Sequence, residues 1–187
     1  MTLMSNVRIP QFPAAAAIAL RFAPLWPLTL VGARLTRRLA ERHPALFARL
    51  GEQAMKVFLI DPTDLPFVFV LKPRPSRTSL FALRRDEAVV WNARIAGPLA
   101  ALIGMVHGAY DGDALFFSRD LSIEGDTEAV VALRNAIDNE ELDLVREATT
   151  LLGPLENLAA APAQKLAAAI ATLSGAPLTR VATGRFE

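Results

Sequence analysis

The side chains best suited to catalysis or metal binding lie between His107 and Glu124. Asp111 and Asp113 flank a glycine, and Asp120 and Glu124 follow within a few residues. Two carboxylates around a glycine can hold a divalent cation, and a nearby histidine can act as a base. One hypothesis is therefore a hydrolase or metal-dependent enzyme that uses Asp111, Asp113 and His107.

The same stretch also fits an ordinary turn. It lacks the further ligands of an EF-hand loop, and Asp-Gly pairs are frequent in turns for purely local reasons. The two histidines, His43 and His107, are far apart in the sequence, and neither belongs to a zinc-ligand pattern. We predict no catalytic residue and no metal site, and the enzyme hypothesis stays open as an alternative.

Other reactive motifs are missing from the sequence. The chain has no cysteine, so thiol nucleophiles, disulfides and cysteine-ligated metals are excluded. No serine lies in G-x-S-x-G, and the ten glycines form no G-x-G-x-x-G phosphate loop. The basic stretches lack the interleaved aromatic residues of a nucleic-acid-binding surface. We predict no cofactor and no nucleic-acid partner. The remaining feature that could serve a function is the apolar interior, since 52% of the residues are hydrophobic, including ten phenylalanines.

Charge is distributed unevenly along the chain. Residues 1–100 hold 14 basic against 6 acidic side chains, a balance of +8, and residues 101–187 hold 6 against 13, a balance of −7. The basic half can face phosphates, anionic lipid headgroups or an acidic partner. Alternatively, the two halves pair with one another within the fold.

The most apolar window, residues 13–33, fits neither a secretory signal nor a membrane span, because Arg21, Pro24 and Pro27 interrupt it. We predict two short helices joined at residues 23–27, the second continuing to a break near His43. Leu28, Val31, Leu35, Leu39 and Ala40 share one face of the second helix, and Arg34, Arg37, Arg38, Glu41 and Arg42 lie largely on the other. Such a basic amphipathic helix can lie on an anionic membrane, cover the mouth of a hydrophobic cavity, or pack on the domain core.

Residues 56–95 have the composition of four short strands. The runs are KVFLI, PFVFVLKP, TSLFALRR and AVVWNARI, and turn residues separate them. Asp86 and Glu87, between the last two runs, suit a tight hairpin. Strands in such close succession predict an antiparallel meander.

Further elements follow the four strands. Gly97 and Pro98 open a helix, SRDLSIEG is typical of a fifth strand, and Asp126 can cap the next helix. An alanine-rich segment predicts a last helix that reaches about Ser174. The order predicts an α+β fold with a five-stranded, mostly antiparallel sheet packed with helices. We expect an N-terminal helical extension (residues 1–52), a central domain (53–152) and a C-terminal helix and tail (153–187).

The segment DALFFSRDLSIEGDTEAVVALRNAIDNEEL resembles the sterol carrier protein type-two (SCP2) domain family. The matching residues are Leu115, Phe116, Phe117, Arg119, Leu121, the run from Ile123 through Glu124, Gly125, Asp126 and Thr127 to Glu128, then Asn135, Asp138, Glu140 and Glu141. The order of elements agrees over residues 27–152. The resemblance is closest to a bacterial branch that serves as an accessory lipid-binding factor in ubiquinone biosynthesis.

The resemblance implies a sheet and helices around a hydrophobic tunnel that binds prenylated quinone intermediates, without catalysis. Expected partners are isoprenoid quinones or prenyl-phenols and quinone-biosynthesis enzymes, including peptidase-like proteins of the oxygen-independent hydroxylation route. A cytoplasmic location is expected, with peripheral contact to the inner membrane through residues 13–50. A carrier of sterol or acyl lipids outside quinone metabolism is the alternative. The predicted lipid-binding residues are Phe67, Phe69, Phe81, Trp91, Leu102, Ile103, Val106, Phe116, Leu121, Ile123, Leu133 and Ile137.

Overall fold

The computed structural model describes residue 9 and residues 11–75, 77–106 and 120–138. The helices are α1 (Ala14–Leu20), α2 (Trp26–Arg42), α3 (Pro44–Leu50), α4 (Leu99–Val106) and α5 (Thr127–Asp138), with a short 3-10 turn at Gly51–Met55. The strands are β1 (Phe58–Pro62), β2 (Phe67–Lys72), β3 (Ser79–Arg84), β4 (Ala93–Gly97) and β5 (Ser122–Gly125). The predicted last helix, to about Ser174, lies outside the described residues.

The five strands form one sheet in the order β3-β2-β1-β4-β5. Three neighbouring pairs are antiparallel, and β1 pairs with β4 in parallel. The mixed but mostly antiparallel sheet with helices confirms the predicted α+β class. The division at residues 52 and 152 stays a prediction.

The predicted hairpin at Asp86 and Glu87 is wrong, because β4 does not pair with β3. The chain leaves β3, crosses the sheet and places β4 beside β1. Asn92 fixes this register: its backbone N–H donates to the Val57 carbonyl at 2.9 Å, and its side-chain oxygen accepts the Val57 N–H at 2.8 Å. Arg85 holds the start of the crossover by donating to the Leu65 carbonyl at 2.8 Å.

Alternation along the strands gives the sheet two different faces. Phe58 and Ile60 of β1 lie beside Leu71 and Phe69 of β2 on one face, which the helices cover. The opposite face carries a smaller cluster of Leu59, Val68 and Val70, against which Phe81, Leu83, Val89 and Trp91 pack. The larger of the two apolar cores therefore lies between the sheet and the helices.

Helix α2 runs along the edge strand β3 and satisfies part of its free edge. The Thr29 hydroxyl accepts the Ala82 N–H at 3.2 Å, a strand donor that an unprotected edge would leave open. Gly32 allows the close approach, because a Cβ there would lie 3.0 Å from the Leu80 carbonyl oxygen. The predicted break near His43 is present, with α2 ending at Arg42.

The junction between β5 and α5 depends on Gly125 and Asp126. Gly125 has φ +80°, and a Cβ there would lie 2.3 Å from the Asn92 carbonyl oxygen. The Asp126 carboxylate accepts the Ala129 N–H at 3.0 Å, as the capping prediction requires. Lys56 lies 2.9 Å from the same carboxylate and is the main cause of the lowered pKa of Asp126.

Gly125→Ala is expected to destabilise the protein by about 3 kcal/mol or more, because backbone strain and steric overlap combine. Gly51→Ala is the matched control, since Gly51 also has a positive φ of 52° but no atom within 4 Å of the added Cβ. Its expected cost is the backbone strain alone, about 1–3 kcal/mol, because φ 52° with ψ −128° lies outside the left-handed helical region. Urea unfolding of both variants measures the difference, and equal losses would contradict the role given to the Asn92 contact.

Candidate functional site

A cavity of about 510 Å³ lies between the helix-covered face of the sheet and the helices. All five strands, or the residues directly flanking them, contribute to its floor, and α2, α3, α4 and α5 form its walls. This volume is within the range of about 300–1,000 Å³ that is usual for ligand sites in proteins. The helices therefore enclose an internal space over the sheet and do not form a uniformly packed core with it.

The floor is built from large aliphatic and aromatic side chains on alternate strand positions. Ile60 and Ile95 occupy the two parallel central strands, Phe69 and Leu80 extend the surface toward the β3 edge, and Ile123 extends it toward the β5 edge. Several of these residues are only partly buried although they lie deep in the fold, because they face the cavity. The floor offers apolar surface over the full width of the sheet.

Helix α2 closes the cavity along the edge strand β3, and α3 packs against both α2 and α5. Leu35, Thr36 and Leu39 of α2 and Leu46 and Phe47 of α3 line the wall. The Thr36 hydroxyl donates to the Gly32 carbonyl at 2.9 Å within its own helix, so it adds little polarity to the wall. The sequence left three roles open for the second N-terminal helix. Its inward face takes one of them, because it covers a hydrophobic cavity.

Helix α4 contributes Leu102, Met105 and Val106 to the wall, and α5 provides a further wall with the most polar part of the cavity. Val130, Leu133 and Ile137 line the space at helical spacing, and Thr127 and Arg134 lie along the same side of the helix. The Arg134 guanidinium is 3.5 Å from the Asp138 carboxylate, and both side chains are partly exposed. Val131, which also lines the cavity, is 54% exposed. This edge of α5 is therefore where the cavity meets solvent, and we call Thr127, Val131 and Arg134 the mouth.

Seven of the twelve predicted lipid-binding residues line this cavity. They are Phe69, Leu102, Val106, Leu121, Ile123, Leu133 and Ile137. They come from β2, α4, the segment entering β5, β5 itself and α5, and the fold brings them together around one space. Lipid contact by these residues stays a prediction.

The other predicted residues lie elsewhere. Phe67 is on the cavity side of β2 but is buried against Phe69, with ring centroids 5.5 Å apart. Ile103 is half-buried on α4 and does not line the cavity. Phe81 and Trp91 pack on the opposite face of the sheet: Phe81 is paired with Val70 across β2 and β3, and Trp91 precedes β4 on the crossover. Phe116 lies outside the described residues.

None of the predicted lipid-binding residues lies on α2 or α3, and four floor residues, Ile60, Leu71, Leu80 and Ile95, were missed as well. Ile60, Leu71 and Leu80 were identifiable from period-two alternation, since each shares a face with a neighbouring strand residue on the cavity side. No local signal distinguishes a leucine of α2 that faces a cavity from one that faces a packed core. That distinction depends on how far the helix stands from the sheet.

The ionisable cluster of the sheet lies on the face opposite the cavity. Asp61 has a side chain only 4% exposed, 2.5 Å from Arg94 and 2.7 Å from Arg85, and Arg94 also contacts Glu124. The hydrogen bond to the Asp61 carboxylate is the main cause of the raised pKa of Arg94. These charges hold β1, β4, β5 and the crossover together and do not reach the cavity wall.

The residues of the enzyme hypothesis, His107, Asp111 and Asp113, lie outside the described part of the chain. Within the described ranges, no three histidine or acidic side chains form a cluster that could hold a metal ion. Among the same residues, no helix is both long and apolar enough to cross a membrane.

The cavity wall determines what the site can bind. Of the described lining residues, only Thr36, Thr78, Thr127 and Arg134 carry polar side chains, and the rest are aliphatic, aromatic, methionine or proline. Such a wall favours hydrocarbon, because each methylene transferred from water contributes about 0.8 kcal/mol. The donors at the mouth can orient one polar end of a ligand. The geometry therefore fits an amphiphile with a long apolar part and a small polar head.

A family profile and one solved structure with a TM-score above 0.5 support the fold. The profile of the SCP-2 sterol transfer family matches residues 34–138. The solved structure of the UbiJ-SCP2 ubiquinone synthesis protein is 21% identical, with a TM-score of 0.52, and the match covers 64% of this chain and 96% of that one. Sterol carrier protein 2 from Yarrowia lipolytica in its apo form is 11% identical, with a TM-score of 0.43, covering 58% of this chain and 88% of that one. No curated protein matches the chain.

Proposed function

The chain belongs to the SCP-2 sterol transfer family, and we propose that it is a non-enzymatic lipid-binding accessory factor of ubiquinone biosynthesis. Its ligands would be isoprenoid quinones or their prenylated phenol precursors. The observation that carries the proposal is the apolar cavity between the sheet and α2, α3, α4 and α5. The protein would hold the prenyl chain away from water while other enzymes modify the ring.

The ligand chemistry follows from the cavity wall. A prenyl chain is a branched hydrocarbon without polar atoms, and it matches a wall whose described floor residues are apolar apart from Thr78. A quinone or phenol ring carries oxygens that accept hydrogen bonds, and Thr127 and Arg134 are donors at the mouth. We infer that the chain points inward and the ring faces the mouth, where a modifying enzyme could reach it.

The place in ubiquinone synthesis rests on resemblance. The segment around Leu121 and the Gly125 to Glu128 turn resembles the ubiquinone branch of the family, and the fold is similar to that of the UbiJ-SCP2 protein. We propose the oxygen-independent hydroxylation route, with peptidase-like hydroxylation proteins as partners. A cytoplasmic protein that contacts the inner membrane peripherally fits this role.

Lipids that co-purify with the protein test the proposal. The protein is purified without detergent, extracted with organic solvent and analysed by mass spectrometry beside a control protein with the same tag. Isoprenoid quinones or prenyl-phenols are expected to be enriched over the control, because the cavity shields their chains. Recovery of bulk phospholipid, sterol or acyl lipid alone would contradict the quinone role and support a general lipid carrier.

A deletion strain provides the matching genetic test. Loss of the gene is expected to lower ubiquinone levels during anaerobic growth and to leave aerobic levels less affected. Unchanged anaerobic ubiquinone would contradict a role in the oxygen-independent route, even if the purified protein binds quinones.

A further inference from the structure

Four side chains of the cavity floor form one continuous row across the sheet. Ile123 of β5 pairs with Ile95 of β4, and Ile95 pairs with Ile60 of β1. Ile60 in turn pairs with Phe69 of β2, and all four side chains line the cavity. Because neighbouring strands lie about 4.8 Å apart, the row is about 14 Å long. A hydrocarbon chain that crosses the strands therefore meets apolar side chains along its whole path.

The row ends at the edge strand β3, where α2 packs directly on the sheet. The next residue of the row is Ala82, whose N–H donates to the Thr29 hydroxyl of α2 at 3.2 Å. A Cβ on Gly32 would lie 3.3 Å from the Leu80 side chain, so helix and strand are in contact here. Leu80 and Leu35, which is one turn further along α2, line the cavity beside this contact. We call Leu35 and Leu80 the closed end of the cavity.

The mouth lies toward the other end of the row. Thr127, Val131 and Arg134 belong to α5, which packs on β4 and β5. The path from the mouth to the closed end therefore crosses the sheet from β5 to β3, which is four strand spacings or about 19 Å. The cavity thus has a direction, from an opening on α5 to a stop at the contact between α2 and β3.

The length and the volume of the cavity give similar values for the hydrocarbon that it holds. An extended isoprene unit advances by about 5 Å, because it adds four carbon–carbon bonds of about 1.5 Å to a zigzag chain. A path of about 19 Å therefore holds about four units. A carbon with its hydrogens needs about the 30 Å³ that a water molecule occupies in the liquid, so the 510 Å³ of the cavity hold about 17 carbons. That volume corresponds to slightly more than three units.

We propose that the cavity limits hydrocarbon length, that it admits about three to four isoprene units, and that Leu35 and Leu80 set this limit. The inference rests on the proposed function for the identity of the chain, whereas the limit follows from the cavity wall alone. Prenylated phenols or quinones with short chains are held entirely inside. The further units of a longer chain lie outside the wall, beside Val131, which is 54% exposed at the mouth.

Benzoquinones that carry one to six isoprene units test the limit. Their affinity is measured by displacement of a fluorescent fatty acid from the purified protein, at ligand concentrations below self-association. Each added unit is expected to raise the affinity at least about tenfold up to the third or fourth, because its carbons leave water. Later units are expected to change the affinity less than about twofold, because they stay in water in both the free and the bound ligand.

Substitutions at the closed end are expected to move the limit. Leu35→Ala with Leu80→Ala removes about six carbons, or about one isoprene unit, so the affinity is expected to rise through one further unit before it levels off. Leu80→Trp adds about as many atoms and is expected to end the rise one unit earlier. The two changes act in opposite directions, so either variant alone tests the limit if the other does not fold.

Leu83→Ala is the matched control for the closed end. Leu83 lies on the same strand as Leu80 but packs on the opposite face of the sheet, against Leu59, Val68 and Val70. The variant loses the same three carbons as Leu80→Ala and is expected to keep the limit of the parent protein.

Two results would overturn the length limit. The first is an affinity that rises equally through all six units, and the second is a limit that stays at the same unit in every folded variant of Leu80. Prenyl alcohols of the same lengths, which carry no ring, separate this inference from the quinone proposal. If the alcohols level off at the third or fourth unit while the quinones do not bind, the length limit holds and the quinone role fails. Quinone binding that strengthens through the sixth unit would have the reverse meaning.

Discussion

The double substitution Ile60→Trp with Val130→Trp is expected to prevent lipid binding without unfolding the protein. Ile60 lies on the central strand of the cavity floor, and Val130 lies on the α5 wall. Displacing even four methylenes of a bound chain forfeits about 3 kcal/mol, or about a hundred-fold in affinity. Mass spectrometry of lipid extracts measures the loss. An empty cavity lowers the stability of the folded protein, and the two tryptophans fill part of it. The melting temperature of the lipid-free double variant is therefore expected to be no lower than that of the lipid-free parent protein.

The same enlargement on the other face of the sheet provides the control. Val70 is fully buried against Leu59 and Val68 on the face of the sheet opposite the cavity. Val70→Trp is expected to cost about 1–3 kcal/mol through overpacking and to leave the lipid content of the folded fraction unchanged. If Ile60→Trp with Val130→Trp retains as much lipid as the parent, the ligand does not lie between the sheet and the helices.

Asp61→Ala is expected to be the most destabilising single change on the opposite face of the sheet. The carboxylate is buried between Arg85 and Arg94, and removing it leaves two guanidinium groups without their shared partner. Arg94, whose pKa is raised mainly by the hydrogen bond to Asp61, stays charged at neutral pH. Breaking a fully buried pair costs about 3–5 kcal/mol, and about 2–3 kcal/mol is expected here because both arginines retain some contact with solvent. Urea unfolding at neutral pH measures the change.

Glu124→Gln is the matched control for Asp61. Glu124 contacts Arg94 from the exposed side of the same cluster, with about half of its side chain in solvent. The expected loss is below about 1 kcal/mol. Lipid content is expected to be unaffected in both variants, because the cluster lies away from the cavity. A similar loss for the two substitutions would contradict the importance assigned to burial at Asp61.

Local patterns in the sequence were sufficient for much of the fold. The run PFVFVLKP, bounded by prolines, predicts β2, and Asp126 marks the start of α5. The interrupting residues between 21 and 27 separate α1 from α2, as predicted. These features depend on a few neighbouring residues, whose backbone preferences and hydrogen bonds act within one turn or one strand.

The features that sequence reasoning missed depend on distant contacts. The parallel pairing of β4 with β1 follows from Asn92 bonding to Val57 and from Arg85 binding the carbonyls before β2, interactions over 20 residues or more. The segment between α1 and α2 is held by Arg84, whose guanidinium donates to the carbonyls of Leu20 and Ala23, more than 60 positions earlier in the chain. The predicted apolar face of α2 included Val31, which is exposed, since a helical wheel shows amphipathicity but not which side the sheet occupies.

A crystal structure of the protein purified with its native lipid tests the central claim most directly. The account predicts elongated density between Ile60 and Phe69 on the floor and Leu39 and Val130 on the walls, with its polar end at Thr127 and Arg134. Density of a lipid on the outer surface only, with ordered water or protein side chains filling the space between sheet and helices, would contradict it.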